Sequence, residues 1–518
     1  MDQSKKEQQP QGQQQRSQQQ QHQTQSQSER KQSDQLKNVG AFQSSLQDNV
    51  KTISTILGNS SDLIVRELSI SDQFKVALFY LEGMIDQKTA QDSVIAPLLK
   101  QSQQEEITLE HLANRVIETA EVSIAQSFSE AIEQIVFGNL ILLIEGEPGA
   151  LIISIADWED RTVMESKAQP AVRGPQHSFT EKLRTNTTLV RRKVKDTRVR
   201  LDSLQVGNLT KTDVALMYME GLVDDKIVKE LHQNLKSINK DQILEGEYIE
   251  EIILSTKQFT IFPRFYNTDR PDTIAAGILE GRVAIFIDGT PFVLLVPTLF
   301  VDFLQSAEDY YQPYLYSNLI RVLRYFSLCI CLFAPAIYIA LTTFHQDMIP
   351  TQLLLSIAGQ REGVPFPAFI EALIMEVAFE ILREAGIRMP RTIGQAVSIV
   401  GTIVIGQAAV EAGIVSAAMV IVVAITAISS FVIPAYSLAI PIRIIRFIFM
   451  LLATTFGSYG ITIGWILLLI HLCHLNSFGV PYMSPIAPHR RGAARDAILR
   501  YPYRNRGKKQ QSRTEKQA

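Results

Sequence analysis

Cysteine is scarce: Cys329, Cys331 and Cys473 are the three in 518 residues, and all lie in apolar runs. An odd, small number in that setting excludes a disulfide-stapled secreted domain, since a thiol among apolar residues packs as a small hydrophobe. No Walker loop, His-Glu-x-x-His, Gly-x-Ser-x-Gly or Cys-x-x-Cys is present, so no catalytic constellation is announced and no enzyme activity is expected. His471 and His474 flank Cys473, but on a helix only the two histidines share a face, so neither a metal nor a cofactor is expected. An apolar stretch behind Met1 is also lacking, which argues against a signal peptide. Before Leu36 apolar residues are almost absent, and the tract QGQQQRSQQQQHQTQSQ cannot offset the entropy of ordering. A disordered glutamine-rich tail is expected over 1–60. The basic stretch from Arg173 to Arg200 has none of the interleaved aromatics that stack bases. Nucleic acid is therefore not an expected partner, whereas anionic lipid headgroups, at about 1 kcal/mol per basic residue, are.

A mean hydropathy of +0.06 and a charged fraction of 20% conceal a division of the chain. Polar and charged residues dominate up to Tyr316, while from Tyr325 to Leu475 long apolar runs carry few charges. Such a contrast is expected where the solvent changes from water to lipid. The polar half contains a repeat. Val76 to Gly83 (VALFYLEG) is echoed by Val214 to Gly221 (VALMYMEG), and Gly138 to Pro148 (GNLILLIEGEP) by Gly281 to Pro291 (GRVAIFIDGTP). Two matching blocks in one order indicate duplication. Each unit reads as a buried strand, a helical stretch starting at Asp86 or Asp224, and a hairpin turning where glycine supplies a positive φ. The fold class expected is a duplicated α/β domain followed by an all-α polytopic membrane domain. The boundaries read as 61–170 for the first subdomain, 171–203 for a basic linker and 204–316 for the second subdomain. The membrane domain follows over 317–488 and a basic tail over 489–518.

A crossing helix needs about 20 apolar residues. Tyr325–Phe344, Ile393–Val410 and Gly413–Ile433 qualify, and Ile444–Leu475 reads as a tight pair broken at Gly457-Ser458-Tyr459-Gly460. Pro367–Arg383 is apolar but carries glutamates; counting it as a crossing keeps every basic cluster on one side, giving about six transmembrane helices with both ends cytoplasmic. On a helix Glu376, Glu380 and Glu384 fall within about an 80° arc, with Glu371 opposite. Ionisable groups at membrane depth pair inside a bundle or line a cavity. Pairing with Arg383, Arg388 and Arg391 at an interface, or an amphipathic helix lying at the membrane surface, is the plain reading; a ring of carboxylates selecting cations is the sharper one. The segment with Gly394, Gly401, Gly406, Gln407 and Glu411 has the small residues that let helices approach. Glu371, Glu376, Glu380, Gln407 and Glu411 are therefore the candidate pore or gating residues.

Several blocks occur in an order that resembles the A subunit of spore germination receptors. They are Leu204–Gly221, Arg173-Gly174-Pro175 with Phe179-Thr180-Glu181, Arg270-Pro271-Asp272, Ile285–Pro291 and Glu308-Asp309-Tyr310-Tyr311. The apolar half adds Arg361–Pro367, Leu382–Pro390 and Ser477–Pro485, so the resemblance spans roughly 60–502. It implies a multi-pass protein of the endospore inner membrane, acting with a transporter-like B subunit and a lipoprotein C subunit. It further implies a homo-oligomer forming a gated ion channel that helps turn nutrient sensing into ion release. A non-conducting scaffold that couples a sensing partner to downstream germination proteins is the alternative.

Overall fold

The repeated apolar blocks become the central strands of two sheets with the same strand order. The structure is a computed structural model and describes residues 42–70, 74–100, 108–157, 165–166, 168–255, 260–390, 406–489 and 496–502. In the first sheet β1 (Leu63–Ser69), β2 (Lys75–Leu81), β3 (Val122–Ala125), β4 (Leu140–Ile144) and β5 (Ala150–Ile153) lie in the order β1-β2-β4-β5-β3. In the second, β6 (Val199–Val206), β7 (Thr212–Met219), β8 (Tyr266–Thr268), β9 (Val283–Ile287) and β10 (Val293–Val296) follow β6-β7-β9-β10-β8.

Strands β4 and β9 are buried at every position because each sheet is covered on both faces. Side chains alternate along a strand. On one face of the first sheet Phe79, Leu81, Ile141 and Leu143 pack against α1 (Leu46–Ile56) and α2 (Phe128–Phe137). On the other, Val76, Leu78, Leu140 and Leu142 pack against helical turns within 87–116. The repeated caps act alike: Asp86 accepts from the Lys88 amide and Asp224 from the Lys226 amide, the latter opening α4 (Asp225–Lys236). Gly146 and Gly289 turn the two hairpins with φ of 86° and 88°, which glycine reaches without penalty.

Two expected boundaries are corrected. The disordered stretch written as 1–60 is too long, because α1 lies inside it. Ser45 caps that helix, and Phe42, Leu46, Ile53 and Leu57 join the first core at up to about 1.5–3 kcal/mol per buried side chain. The basic linker, 171–203, carries α3 (Leu183–Lys193) and the start of β6. In order, α3 precedes its sheet as α1 precedes the first, so the two units share a leading helix as well as a strand order. Arg191 of α3 is not a lipid contact. It is buried, with Nε donating to Asp62 at 2.8 Å and Nη2 donating to the Ser60 hydroxyl at 3.1 Å, which fastens one repeat to the other. The remaining elements of this half are α5 (Gly246–Ser255) and α6 (Pro271–Leu279).

The chain divides into two compact units, 1–165 with 177–248 and 269–293, and 166–176 with 249–268 and 294–518. In the second lie α7 (Tyr314–Thr343), α8 (Thr351–Arg361), α9 (Ala368–Arg388), α10 (Ala417–Phe431) and α11 (Tyr436–His474), closed by a short ribbon of β11 (Asn476–Ser477) and β12 (Val480–Pro481). Among the described residues two helices, α7 and α11, are long and apolar enough to cross a membrane, and α10 is a shorter apolar helix. The expected crossing Ile393–Val410 lies outside the described residues over 393–405, so six is not established. Phe326 and Ile337 on α7, Ile428 on α10, and Leu451, Phe456 and Leu467 on α11 are exposed. So continuous an apolar exterior marks an interaction surface.

Helix α11 is two helices joined at Gly457, whose φ of 60° and ψ of −140° are non-helical. The halves fold back on each other. A β-carbon on Gly460 would collide with the Leu452 carbonyl oxygen, and one on Gly464 would stand 2.9 Å from the Phe449 ring. Phe333 of α7 sits edge-on to Phe449 and to Trp465, with both pairs of ring centroids 5.1 Å apart, so one side chain clasps both halves. His345 closes the turn: its Nε2 accepts from the Ser458 amide at 3.3 Å and lies 2.7 Å from the Ser458 hydroxyl. Gly457→Ala combines a forbidden backbone conformation with a β-carbon 3.0 Å from that nitrogen. It is expected to cost about 1–3 kcal/mol, read as a lower melting temperature in detergent.

Candidate functional site

The glutamates of α9 recur at i and i+4, so Glu376 and Glu380 fall on one face. On the first half of α11, Arg443 and Arg446 recur at i and i+3 and share a face in the same way. The two faces meet. Arg446 Nη1 lies 3.1 Å from Glu376 Oε2 with both side chains fully buried, and Nη2 lies 3.4 Å from Glu380 Oε1. The Glu376 contact has ion-pair distance without hydrogen-bond geometry, leaving both carboxylate oxygens without a hydrogen bond. Glu380 is shared more widely: Arg443 Nη1 donates to it at 2.8 Å and Arg383 Nη1 at 3.4 Å. Arg383 also donates to the Ser430 hydroxyl of α10 at 2.8 Å and lies over the rings of Phe379 and Phe431. Two carboxylates thus face three guanidinium groups. The expected partners Arg383 and Arg388 are engaged, Arg388 with the exposed Glu384 at 2.6 Å, while Arg391 lies outside the described residues.

Glu371 is elsewhere, as its opposite helix face requires. It is fully buried, paired with Arg361 at 3.2 Å, and its Oε2 accepts from the Ser416 amide at 2.9 Å. Ser416 caps α10 through the Met419 amide, and Gln360 Oε1 accepts from the Ala418 amide at 3.2 Å. Three side chains therefore satisfy the amides that a helix start leaves open. Gln407 and Glu411 differ from the other candidates. Both are exposed, and Gln407 Nε2 donates to Glu411 Oε1 at 2.8 Å along one helical turn. Among the described residues Glu411 has no basic partner.

The family model described as Bacillus/Clostridium GerA spore germination protein matches residues 51–512. The chain belongs to the GerA family. Its role is accordingly in spore germination. Spore germination protein KA of Bacillus subtilis (strain 168) is 48% identical to this GerA-family chain over 462 residues, covering 89% of the chain and 85% of that protein. The uncharacterized membrane protein YfkQ of the same organism is 44% identical over 459 residues, 89% of each. The crystal structure of the N-terminal domain of the A subunit of the Bacillus megaterium spore germinant receptor GerK3 is 34% identical. It covers 51% of this chain and 98% of that one at a TM-score of 0.41.

Arg443 and Arg446 belong to the basic clusters that the sequence of this GerA-family chain presents as markers of membrane orientation, and in the structure they are partners of the acidic stripe. The signal was available: two arginines at i and i+3 in an apolar run require carboxylates. A second charged cluster emerges only in the structure. Asp309 accepts from Arg321 at 3.0 Å and from Arg324 at 2.7 Å, all three buried, and Asp496 pairs with Arg321 at 3.0 Å. That pairing lets α7 begin at Tyr314, well before the apolar run at Tyr325, because its arginines are neutralised in place.

Proposed function

We propose that this chain is the A subunit of a spore germinant receptor. It works with a transporter-like B subunit and a lipoprotein C subunit in the endospore inner membrane, and it assembles into an oligomer that conducts ions once nutrient is sensed. Family membership supports the receptor assignment, and the exposed apolar helices support the membrane setting. The conduction reading rests on Glu411, an exposed carboxylate with no basic partner among the described residues. In an oligomer it would repeat as a ring, the arrangement that attracts cations. Glu371, Glu376 and Glu380 act in this reading as struts between helices, not as ion contacts, since each is held by arginine.

The test is ion flux through the receptor complex reconstituted in liposomes, with nutrient mixtures added. Glu411→Gln is expected to lower cation flux several-fold with assembly unchanged; flux equal to the unmodified complex would move the ion path away from Glu411. The second reading, a non-conducting scaffold, is favoured by the neutralisation of Glu376 and Glu380. An intact, nutrient-binding complex that passes no ions would decide for it.

A further inference from the structure

Residues 496–500 lie against the start of α7 in a way that resembles peptide recognition more than core packing. Their backbone is read by side chains: Gln305 Nε2 donates to the Asp496 carbonyl at 2.7 Å, and the Tyr325 hydroxyl donates to the Ala497 carbonyl at 3.2 Å. Asn318 grips Arg500 twice, accepting from its amide at 2.6 Å and donating to its carbonyl at 2.9 Å. Two anchors frame the segment. Asp496 meets Arg321 at 3.0 Å and accepts from the Tyr310 hydroxyl at 2.9 Å. Arg500 Nη1 donates to the carbonyls of Asp309 at 2.5 Å and Gln312 at 2.8 Å, where the short helical turn before α7 leaves acceptors open.

Apolar burial contributes little here: Ala497 is buried, but Ile498, Leu499 and Tyr501 are exposed. A segment held by directional polar bonds, with one small side chain buried, docks specifically and reversibly, because water replaces such bonds at small net cost. Its carboxylate also alters the charge balance beneath it. Without Asp496, Asp309 alone faces the buried pair Arg321 and Arg324.

We propose that the face formed by Gln305, Tyr310, Asn318, Arg321 and Tyr325 is a peptide-recognition site. Its ligand is the chain's own Asp496–Arg500 segment, docked as a releasable strap that completes the charge balance at the base of α7. Undocking exposes a basic site that accepts the same peptide in trans and loosens the first turns of α7.

The experiment uses the full chain purified in detergent, a fluorescent peptide of residues 494–502, and hydrogen exchange of the chain's own amides. In the unmodified chain the site is filled and the peptide binds weakly. The Asp496→Asn chain, with its strap weakened, is expected to bind the peptide at least tenfold more tightly, and a peptide carrying Arg500→Ala is expected not to bind. Exchange at the Arg500 amide should rise at least tenfold in Asn318→Ala. Should Asp496→Asn fail to fold, Arg500→Ala empties the site without touching a buried carboxylate. A well-folded strap variant that takes up no peptide overturns the proposal, as does uptake that ignores the Arg500→Ala change in the peptide. Exchange at Arg500 unmoved by Asn318→Ala also overturns it.

Discussion

Arg446→Met is expected to lower the melting temperature of the folded protein more than any other single substitution on α11. The substitution keeps an apolar side chain of similar length in the apolar part of α11, so packing is nearly conserved and the loss is electrostatic. Glu376 is then left fully buried with no cation within ion-pair distance, whereas Glu380 keeps Arg443 at 2.8 Å. Breaking a buried pair from one side costs about 3–5 kcal/mol, a large share of the roughly 5–15 kcal/mol that holds a domain folded. The double variant Glu376→Met with Arg446→Met should recover most of the loss, since well-packed apolar residues replace such pairs at little cost. Thermal melting in detergent of the two single variants and the double one reads this out. A single Arg446→Met that melts with the unmodified chain would mean that the carboxylate is neutral or hydrated without arginine.

Asp309→Asn should be as damaging by a different route. One carboxylate serves two buried guanidinium groups, at 3.0 and 2.7 Å, and also accepts from the Ser306 amide at 3.2 Å to cap the turn before α7. All three donors converge on Oδ2, so an amide oxygen can still accept there, but the negative charge that neutralises the two guanidinium groups is gone. Two like charges are then buried against the single carboxylate of Asp496. The expected cost is again about 3–5 kcal/mol. Arg324→Met in the same background should restore part of it by removing one unmatched charge. If Asp309→Asn melts normally and the added Arg324→Met changes nothing, the cluster carries no net electrostatic weight.

What could be read in the sequence was local. The strand runs LILLI and VAIFI, the caps Asp86 and Asp224, the turn glycines Gly146 and Gly289 and the break at Gly457 all act within a few residues of themselves. What could not be read depends on which distant elements meet. Glutamine-rich surroundings hid α1 because its four core contacts are spread over Phe42 to Leu57. Basic residues hid α3, since Arg191 reads as solvated until Asp62 is known to face it. Among the candidate residues, the stripe on α9 was legible as a face, but its partners lie some sixty positions away on α11. A periodic pattern fixes where a side chain points on its own helix and says nothing of what stands opposite.

The one-residue closure of α11 has a consequence for the order in which the chain is built. Synthesis runs from the amino end, so α7 and His345 exist before Ser458 leaves the ribosome. The Ser458 amide at the tip of the hairpin would otherwise be a bare donor in an apolar setting, and its acceptor is already waiting. Gly460 and Gly464 leave no gap between the two halves of α11, so the second half has its packing surface only once the first is in place. The contact that closes the pair thus falls on a residue made more than a hundred positions earlier.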